Sequence, residues 1–259
     1  MKTTTKVHGV ATVALATCLG VLGCRDDSAT IPRGEPSAGT SRTGHTVIDV
    51  NQGRVDPQGK LKGVRVAILA TDGFEQSELV DPRQAYADQG ATATVVSPKD
   101  GTIQGWRYDE KGDLVRVDLL LRDAKPGEFD ALELPGGVIN SDRLRLEPDA
   151  ATFVEAFALA GKPIAAICHG LWTMIDADVV RDRTITSWPS LRADLANAGA
   201  VWVNEAVVED RNFVTSRKPD DIPAFNGKAT ALFARAKAGK PAIGGGPAGT
   251  DEPDKSGAP

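Results

Sequence analysis

The chain has 259 residues, of which 41% are hydrophobic, and this is enough for one sizeable core, so disorder throughout is excluded. Its formal net charge of -5 leaves no basic excess, and we therefore expect no nucleic-acid partner.

The first 24 residues have the layout of a bacterial export signal. Lys2 and Lys6 precede an apolar run from Val10 to Leu22, which is shorter than the roughly 20 residues needed to span a bilayer. The run is followed by Gly23 and Cys24. This ending resembles a lipobox, the motif in which the cysteine is acylated. We expect an exported periplasmic or cell-envelope lipoprotein that meets the membrane only through Cys24. A signal that is simply cleaved is the alternative.

The cysteines of the chain are Cys18, Cys24 and Cys168. Removal of the signal takes Cys18 away and acylation would consume Cys24, so Cys168 becomes the only thiol of the mature chain. Exported proteins usually pair their cysteines in an oxidising compartment. A lone thiol there is either buried and inert or chemically active.

Two flanking segments differ in composition from the middle of the chain. Residues 25–60 are rich in Ser, Thr, Gly, Pro, Asp and Arg, with little apolar periodicity apart from the run Thr46–Val50, and we interpret them as a disordered tether. Residues 238–259 are similar and predict a disordered tail. The folded domain is therefore expected at residues 61–237.

Within that domain, strand-like apolar runs alternate with helix-like segments. The predicted strands are Val64–Ala70, Ala91–Ser97, Ala131–Leu134, Ile164–Ile167, Thr184–Thr186 and Val201–Val203. The predicted helices are Glu78–Gln89, Pro148–Ala160, Leu191–Ala198 and Ile222–Lys237. A β excursion is expected over residues 101–121, and a hairpin around Asp210-Arg211-Asn212. The alternation predicts an α/β domain with a mainly parallel sheet covered by helices on both faces.

Cys168 lies where the predicted strand Ile164–Ile167 stops and a helix starts. This is the arrangement of a nucleophile elbow, in which a sharp turn projects a side chain above the carboxyl edge of the sheet. The positive end of the following helix would favour the thiolate over the thiol. The alternative is a cysteine that only fills core volume.

The histidines narrow the chemistry, because the chain has only His8, His45 and His169. The first two fall in the signal and the tether, so any partner of Cys168 must be its neighbour His169. Papain-like enzymes and glutamine amidotransferases use a distant histidine and are disfavoured. A zinc site is disfavoured too, since one Cys and one His cannot supply the usual ligand set. A structural histidine is the alternative.

A second polar cluster, Thr71–Leu79, follows the first predicted strand at the same edge of the sheet. Glu75 and Glu78 open the first helix, and both could simply complement the helix dipole. The sharper hypothesis places Glu78 beside Cys168. A carboxyl group in such a pocket should have a raised pKa and could stay protonated to donate a hydrogen bond or move a proton.

The third element is the double glycine Gly136-Gly137, which follows the strand Ala131–Leu134. Paired glycines let the backbone approach a ligand closely, and the Gly137 N–H together with that of His169 could form an oxyanion hole. An ordinary tight turn is the alternative.

These loops belong to motifs that together resemble the ThiJ/PfpI superfamily, specifically its PfpI-type branch. The motifs are Asp72-Gly73-Phe74-Glu75 with Glu78-Leu79, Leu134-Pro135-Gly136-Gly137, Ala165-Ala166-Ile167-Cys168-His169-Gly170, Thr186-Ser187-Trp188-Pro189-Ser190, and Thr215-Ser216-Arg217-Lys218-Pro219-Asp220-Asp221. The resemblance covers about Val64 to Ala236. It implies a flavodoxin-like three-layer sandwich of the class I glutamine amidotransferase type, with neither metal nor cofactor.

By this resemblance Cys168 is the nucleophile, His169 is its neighbour, and Glu78 is the carboxyl group hydrogen-bonded to the thiol. The family also supplies an acidic residue across a subunit interface to the histidine, and here that residue is Asp142. Its loop, Val138–Arg143, would contact a partner chain, so the resemblance implies a dimer or a larger homo-oligomer.

The activities that the resemblance implies are glyoxalase or deglycase chemistry on small reactive aldehydes or their adducts, peptidase activity, and chaperone or redox-sensing roles. We expect attack of Cys168 on a small aldehyde, with a cysteine peptidase as the alternative enzyme. A non-catalytic stress module that senses oxidation or holds unfolded chains stays open, as does a periplasmic binding protein.

Overall fold

The structure, a computed structural model, describes residues 46–48 and 58–239. The strands of the described part are β1 (Val47–Ile48), β2 (Arg65–Leu69), β3 (Phe74–Glu75), β4 (Thr92–Ser97), β5 (Thr102–Arg107), β6 (Glu110–Arg116), β7 (Leu119–Leu120), β8 (Ala131–Leu134), β9 (Ile164–Ile167), β10 (Thr184–Ile185), β11 (Val201–Trp202), β12 (Val207–Asp210) and β13 (Phe213–Ser216). The α-helices are α1 (Gln76–Asp88), α2 (Val138–Arg145), α3 (Pro148–Leu159), α4 (Leu171–Asp176), α5 (Arg192–Asn197) and α6 (Ile222–Lys237).

Among these residues, seven strands form the main sheet in the order β12-β13-β9-β8-β2-β4-β7. Every neighbouring pair is parallel except β12 and β13, which form the predicted hairpin at one edge. Parallel strands need crossover connections, and helices supply most of them here. The predicted α/β fold with a mainly parallel sheet is confirmed.

The central strands bury both of their faces. In β2, Val66 and Ile68 enter a core shared with α1 and α6, whereas Ala67 and Leu69 enter a second core shared with α2 to α5. The alternation follows from the period of two in a strand. The sheet therefore lies between two helix layers, and its carboxyl edge is left for loops.

Within the β excursion predicted for residues 101–121, β5 and β6 form an antiparallel hairpin that stands apart from the main sheet, whereas β7 pairs with β4 in the main sheet. The short strand β3 pairs with β5 through Phe74 opposite Gly105 and Glu75 opposite Trp106. This pairing brings the tip of the hairpin next to the segment that follows β2.

The prediction of a loop at Val138–Arg143 is wrong, because these residues belong to the helix α2. The helix carries little apolar periodicity, and the hydrophobic side chain that it buries is Leu144. Polar Asn140 and Ser141 are also fully buried, so the usual sequence signal of an amphipathic helix is missing here.

The disordered tether predicted for residues 25–60 is wrong at residues 58–60, where a turn is closed by the Lys62 N–H donating to the Gly59 carbonyl at 3.1 Å, and at residues 46–48. Val47 and Ile48 pair in parallel with Leu114 and Val115 of β6, and the Leu114 N–H donates to the Thr46 carbonyl at 3.0 Å. These β-branched residues have high strand propensity and extend the small sheet at its edge.

Three predicted segments lie outside the described residues. They are the export signal, the rest of the tether up to residue 57 and the tail beyond residue 239. Among the helices described, none combines the length and the hydropathy needed to cross a bilayer.

Candidate active site

Three neighbouring strands of the main sheet, β2, β8 and β9, end side by side because they are parallel and adjacent. The segments that follow them carry Glu78, Gly137, Cys168 and His169, and all four residues line one cavity of about 320 Å³. Open α/β sheets bind ligands at this edge. The structure thus brings together residues that the sequence had singled out in three separate motifs.

Cys168 occupies the predicted elbow between β9 and α4. Its backbone has a φ of 60°, a left-handed conformation that costs a non-glycine residue about 1–3 kcal/mol. The carbonyl of Cys168 accepts the N–H of Trp188 at 3.3 Å, which helps to hold the turn. The residue is 7% exposed and lies in the cavity wall, so a small molecule in the cavity can reach the sulfur.

The glycines around the elbow are required because neighbouring atoms leave no room for a side chain. They therefore do more than form an ordinary tight turn. A Cβ on Gly136 would lie 2.5 Å from Glu78 Oε2 and 2.7 Å from the Cβ of Cys168. At Gly170 a Cβ would lie 2.3 Å from the Leu134 carbonyl oxygen. Any side chain at either position would push the loops of the site apart.

Glu78 is fully buried beside Cys168. Its Oε2 accepts the Gly136 N–H at 2.9 Å, while its Oε1 has no hydrogen-bond partner among the described residues. Burial, followed by the negative charge of Glu75, raises the pKa of Glu78 to about 8. Glu78 therefore holds a proton at neutral pH, as the sequence predicted, and can donate it into the site.

The thiol of Cys168 departs from the sequence prediction. Burial raises its pKa well above the ordinary value, and the charge of an ionised Glu78 raises the pKa further. The backbone N–H groups of Gly137 and His169 act in the opposite direction but more weakly. Desolvation therefore opposes the resting thiolate that the sequence predicts from the following helix N-terminus.

His169 offers a place for the thiol proton. Its Nδ1 lies 3.2 Å from Cys168 Sγ, and the ring stacks on Trp188 and meets the edge of Trp172. Burial lowers the pKa of His169 to about 4, so the imidazole is neutral at pH 7. In the tautomer with an unprotonated Nδ1, a neutral ring accepts the proton when the sulfur attacks.

Of the backbone N–H groups predicted to stabilise an oxyanion, one is already engaged by a side chain and two face the sulfur of Cys168. The Gly136 N–H is engaged by Glu78 and is not available to a substrate oxygen in this structure. The N–H groups of Gly137 and His169 both act on the sulfur. These two donors remain candidates for stabilising a negative charge that develops at or beside Cys168.

Asp142 lies exposed on α2, and within the described chain no hydrogen bond or ion pair joins it to His169. Its proposed action across a subunit interface stays a prediction. In the described part of the chain, no group of three or more His, Cys, Asp or Glu side chains is arranged to hold a metal ion.

Sequence reasoning missed the outer wall of the cavity, which Tyr108, Asp109 and Trp188 help to form. Tyr108 is at the tip of the β5–β6 hairpin, and its N–H donates to Glu75 Oε2 at 2.9 Å. No local pattern links a hairpin tip to a segment 33 residues earlier. Trp188 was visible in its motif, but its stacking on His169 depends on the fold.

Asn140 is a second residue that the sequence did not single out, and it connects the loops of the site. Its Oδ1 accepts the Thr71 N–H at 2.7 Å, and its Nδ2 donates to the carbonyls of Pro135 and Gly136 at 3.1 Å each. The side chain is fully buried. It therefore fixes the double glycine against the end of β2.

Asn140→Ala should lower the free energy of unfolding by about 3 kcal/mol, because the buried Thr71 N–H and Pro135 carbonyl lose their partner and the Gly136 carbonyl keeps only the Glu75 N–H. Denaturant unfolding at equilibrium measures the change. Asn197→Ala, at an exposed position on α5, is the matched control and should stay within about 0.5 kcal/mol of wild type. Equal stability of the two variants would contradict the structural role of Asn140.

Comparison with known proteins agrees with this geometry. The DJ-1/PfpI family model matches residues 64–232. A deglycase of Pyrococcus abyssi is 42% identical over 162 residues, which cover 62% of this chain and 95% of the relative. A Bacillus subtilis protein assigned by its name to the cysteine proteases is 38% identical over 169 residues, covering 65% of this chain and 98% of that protein.

A solved structure from Anabaena variabilis, a two-domain protein with a DJ-1/ThiJ/PfpI-like and a ferritin-like domain, is 31% identical with a TM-score of 0.60. The match covers 68% of this chain and 48% of that chain. The family model spans the main sheet, the helices on both of its faces and the three loops of the site. The chain therefore belongs to the DJ-1/PfpI family.

Proposed function

We propose that this protein is a cysteine-dependent enzyme that converts small 2-oxoaldehydes, or releases them from their adducts, as hydroxy acids. The observation that carries the proposal is the environment of Cys168. Its sulfur lies 3.2 Å from a neutral imidazole and beside a protonated carboxyl group, in the wall of a cavity of small-molecule size.

In the first step, Sγ of Cys168 bonds to the aldehyde carbon while the thiol proton moves to Nδ1 of His169. The electron pair of the C=O bond goes to the oxygen, which then takes a proton and completes a hemithioacetal. The protonated Glu78 and the N–H groups of Gly137 and His169 are the donors available to that oxygen.

In the second step, the proton on the former aldehyde carbon moves to the neighbouring carbonyl carbon, with Glu78 or His169 as carrier, and the hydroxyl proton of the hemithioacetal moves to the neighbouring carbonyl oxygen. One carbon is oxidised and its neighbour is reduced, so no external oxidant or reductant is needed. The product is a thioester of a hydroxy acid. Water attacks the thioester, the C–S bond breaks, and the proton returns to the sulfur of Cys168.

A cysteine peptidase is the second candidate, and the name of the Bacillus subtilis relative supports it. The cavity favours the aldehyde enzyme, since about 320 Å³ holds a small molecule and leaves little room for an extended peptide. The test is the conversion of methylglyoxal to lactate by the full chain, followed by NMR. Cleavage of a chromogenic peptide without formation of lactate would favour the peptidase.

We also propose that α2 forms an interface with a second copy of the chain. Val138 and Ile139 are 53% and 38% exposed although they are hydrophobic, and Asp142 lies on the same short helix. In such an assembly Asp142 of one subunit would reach His169 of the other and orient its ring.

Asp142→Asn should then lower the turnover of methylglyoxal about tenfold or more, because the imidazole loses the charge that orients it. Subunit complementation gives a sharper measurement. Mixed oligomers of the Asp142→Asn and Cys168→Ser variants should recover activity, because one site then combines Cys168 with an intact Asp142 from its partner. Absence of recovery, or a monomer by light scattering, would contradict the shared site.

Finally, we propose that the chain is exported and anchored through lipid on Cys24, on the basis of the N-terminal sequence alone. Expression with labelled palmitate in a bacterial host should label wild type and leave Cys24→Ser unlabelled. Equal labelling of both proteins would rule out acylation of Cys24.

A further inference from the structure

The cavity at Cys168 has a one-sided charge distribution. Three carboxyl-bearing residues, Glu75, Glu78 and Asp109, line it, while no lysine or arginine is present among its described lining residues. His169 contributes no positive charge at neutral pH, since burial lowers its pKa to about 4. The wall of the cavity is therefore negative or neutral.

Glu75 has a fixed position in this wall. Its Oε2 accepts the N–H of Tyr108 at 2.9 Å, and its Oε1 accepts the Ser77 hydroxyl at 3.4 Å. These contacts attach the hairpin tip, which carries Asp109, to the segment that leads into Glu78. The negative charge of Glu75 is felt at the floor of the cavity, where it helps to raise the pKa of Glu78.

Basic residues next to the lining do not cancel this charge, because acids already pair with them. Arg107, which precedes Tyr108, lies 2.7 Å from Asp113, and Lys218, which precedes a lining proline, lies 2.7 Å from Asp220. Each pair is close to neutral as a unit. The carboxyl groups of Glu75 and Asp109 therefore dominate the field at the mouth.

The aromatic lining also favours a positive ligand group. Tyr108 and Trp188 line the same cavity, and aromatic rings attract cations. Glu78, which holds a proton at neutral pH, adds no positive charge to the lining. A cation at the mouth would thus meet aromatic faces and acids, whereas an anion would meet repulsion.

We propose that Glu75 and Asp109 are specificity-determining residues that admit aldehydes with cationic or neutral substituents and exclude those with carboxylate or phosphate groups. The inference names the substrate class of the proposed function and rests on it. The geometry of the mouth is nevertheless testable through Cys168 alone.

Charged thiol reagents measure the field at Cys168 without any turnover. The trimethylammonium-ethyl and sulfonato-ethyl methanethiosulfonates carry opposite charges and form the same kind of mixed disulfide, with methanesulfinate as the leaving group. Their rates are followed on the Cys168 peptide of the full chain by mass spectrometry. We expect the cation-to-anion rate ratio to exceed that of an uncharged small thiol by roughly tenfold or more.

Glu75→Gln and Asp109→Asn should each lower this ratio, and the double variant should bring it near that of the small thiol. Glu155→Gln, at an exposed position on α3, removes the same charge far from the cavity and should leave the ratio unchanged. A wild-type ratio equal to that of the small thiol would overturn the proposal, as would an unchanged ratio in the double variant.

Salt gives a second readout that does not depend on how the variants fold. Raising ionic strength from about 0.01 M to about 0.1 M shortens the Debye length from about 30 Å to about 10 Å. The wild-type ratio should fall by severalfold over this range, and a constant ratio would contradict an electrostatic origin.

Reversible inhibition separates this inference from the proposed function. Trimethylammonio-acetaldehyde should inhibit methylglyoxal turnover at least about tenfold more strongly than glyoxylate, since both add to a thiol and differ in charge. Should wild type turn over no methylglyoxal, the proposed function fails, while the reagent ratio still decides the selectivity of the mouth. A high ratio together with stronger inhibition by glyoxylate would overturn the inference for aldehydes.

Discussion

Replacement of Cys168 by serine should reduce the turnover of methylglyoxal by at least about a thousandfold, because hemithioacetal formation needs the sulfur nucleophile. Serine keeps the size of the side chain and the left-handed turn, so the cavity should persist. The measurement is the rate of lactate formation by NMR, at protein concentrations checked by thermal unfolding. Cys24→Ser, which replaces a cysteine of the N-terminal segment, is the control and should leave the rate unchanged.

The other functional classes predict different results for the same pair of proteins. A redox sensor or a holdase predicts no lactate from either protein, together with oxidation of Cys168 by peroxide in wild type. A binding protein predicts an affinity for its ligand that survives Cys168→Ser. Equal lactate formation by wild type and Cys168→Ser would contradict the nucleophilic role outright.

Glu78→Gln should lower turnover by about a hundredfold to ten-thousandfold. The glutamine oxygen can still accept the Gly136 N–H, so the loops keep their contact while the transferable proton is lost. Since the pKa of Glu78 is raised to about 8, wild-type activity should decline above that pH as the carboxyl ionises beside Cys168. The residual activity of Glu78→Gln should lack this decline, and a shared alkaline limb would contradict the assignment.

The same pKa makes stability depend on pH. Between pH 4.5, the ordinary pKa of a glutamate, and about pH 8, the native state keeps a proton on Glu78 that the unfolded chain has released. The free energy of unfolding must then fall as pH rises, by up to about 1.4 kcal/mol per pH unit from this group. The stabilisation is fully present below pH 4.5 and lost by about pH 8.

Denaturant unfolding of wild type and Glu78→Gln across this range isolates the contribution. His169 is present in both proteins, and its effect cancels in the difference. Glu133, which is also fully buried with a raised pKa, responds to the charge of Glu78, so the difference reports Glu78 together with this coupling. The variant should gain stability relative to wild type as pH rises. Parallel pH curves for the two proteins would contradict a buried, protonated Glu78.

The sequence predicted the strands β2, β4, β8 and β9 of the main sheet, and the elbow, because they have local signals. The predicted strands Thr184–Thr186 and Val201–Val203 instead give β10 and β11, which form a separate two-stranded sheet. Buried strands read as apolar runs, and Cys168 follows one of them directly. The closeness of Glu78 to Cys168 was one of two hypotheses from the shared sheet edge, and the family resemblance chose between them, since no sequence pattern by itself tells that β2, β8 and β9 are neighbours. The helix α2 was missed because it buries polar residues such as Asn140, which bonds to the loops, so the helix lacks the apolar periodicity that predicts a helix from sequence.

At the site, the pKa of the Cys168 thiol is where the sequence and the structure point in opposite directions. A helix N-terminus after Cys168 is visible in the sequence and favours the thiolate, but the desolvation that outweighs it depends on how completely the loops close. The outer wall was missed for a similar reason. Tyr108 and Asp109 reach the cavity through the pairing of β3 with β5, which no local pattern encodes.

The most direct test of the whole proposal is the chemical state of Cys168 during turnover. Wild-type protein mixed with methylglyoxal and quenched in acid within the first turnover should carry one methylglyoxal unit on its Cys168 peptide by mass spectrometry, and lactate should appear later. An unmodified Cys168 peptide, with methylglyoxal found only on lysine and arginine side chains and no lactate released, would contradict nucleophilic attack by this sulfur.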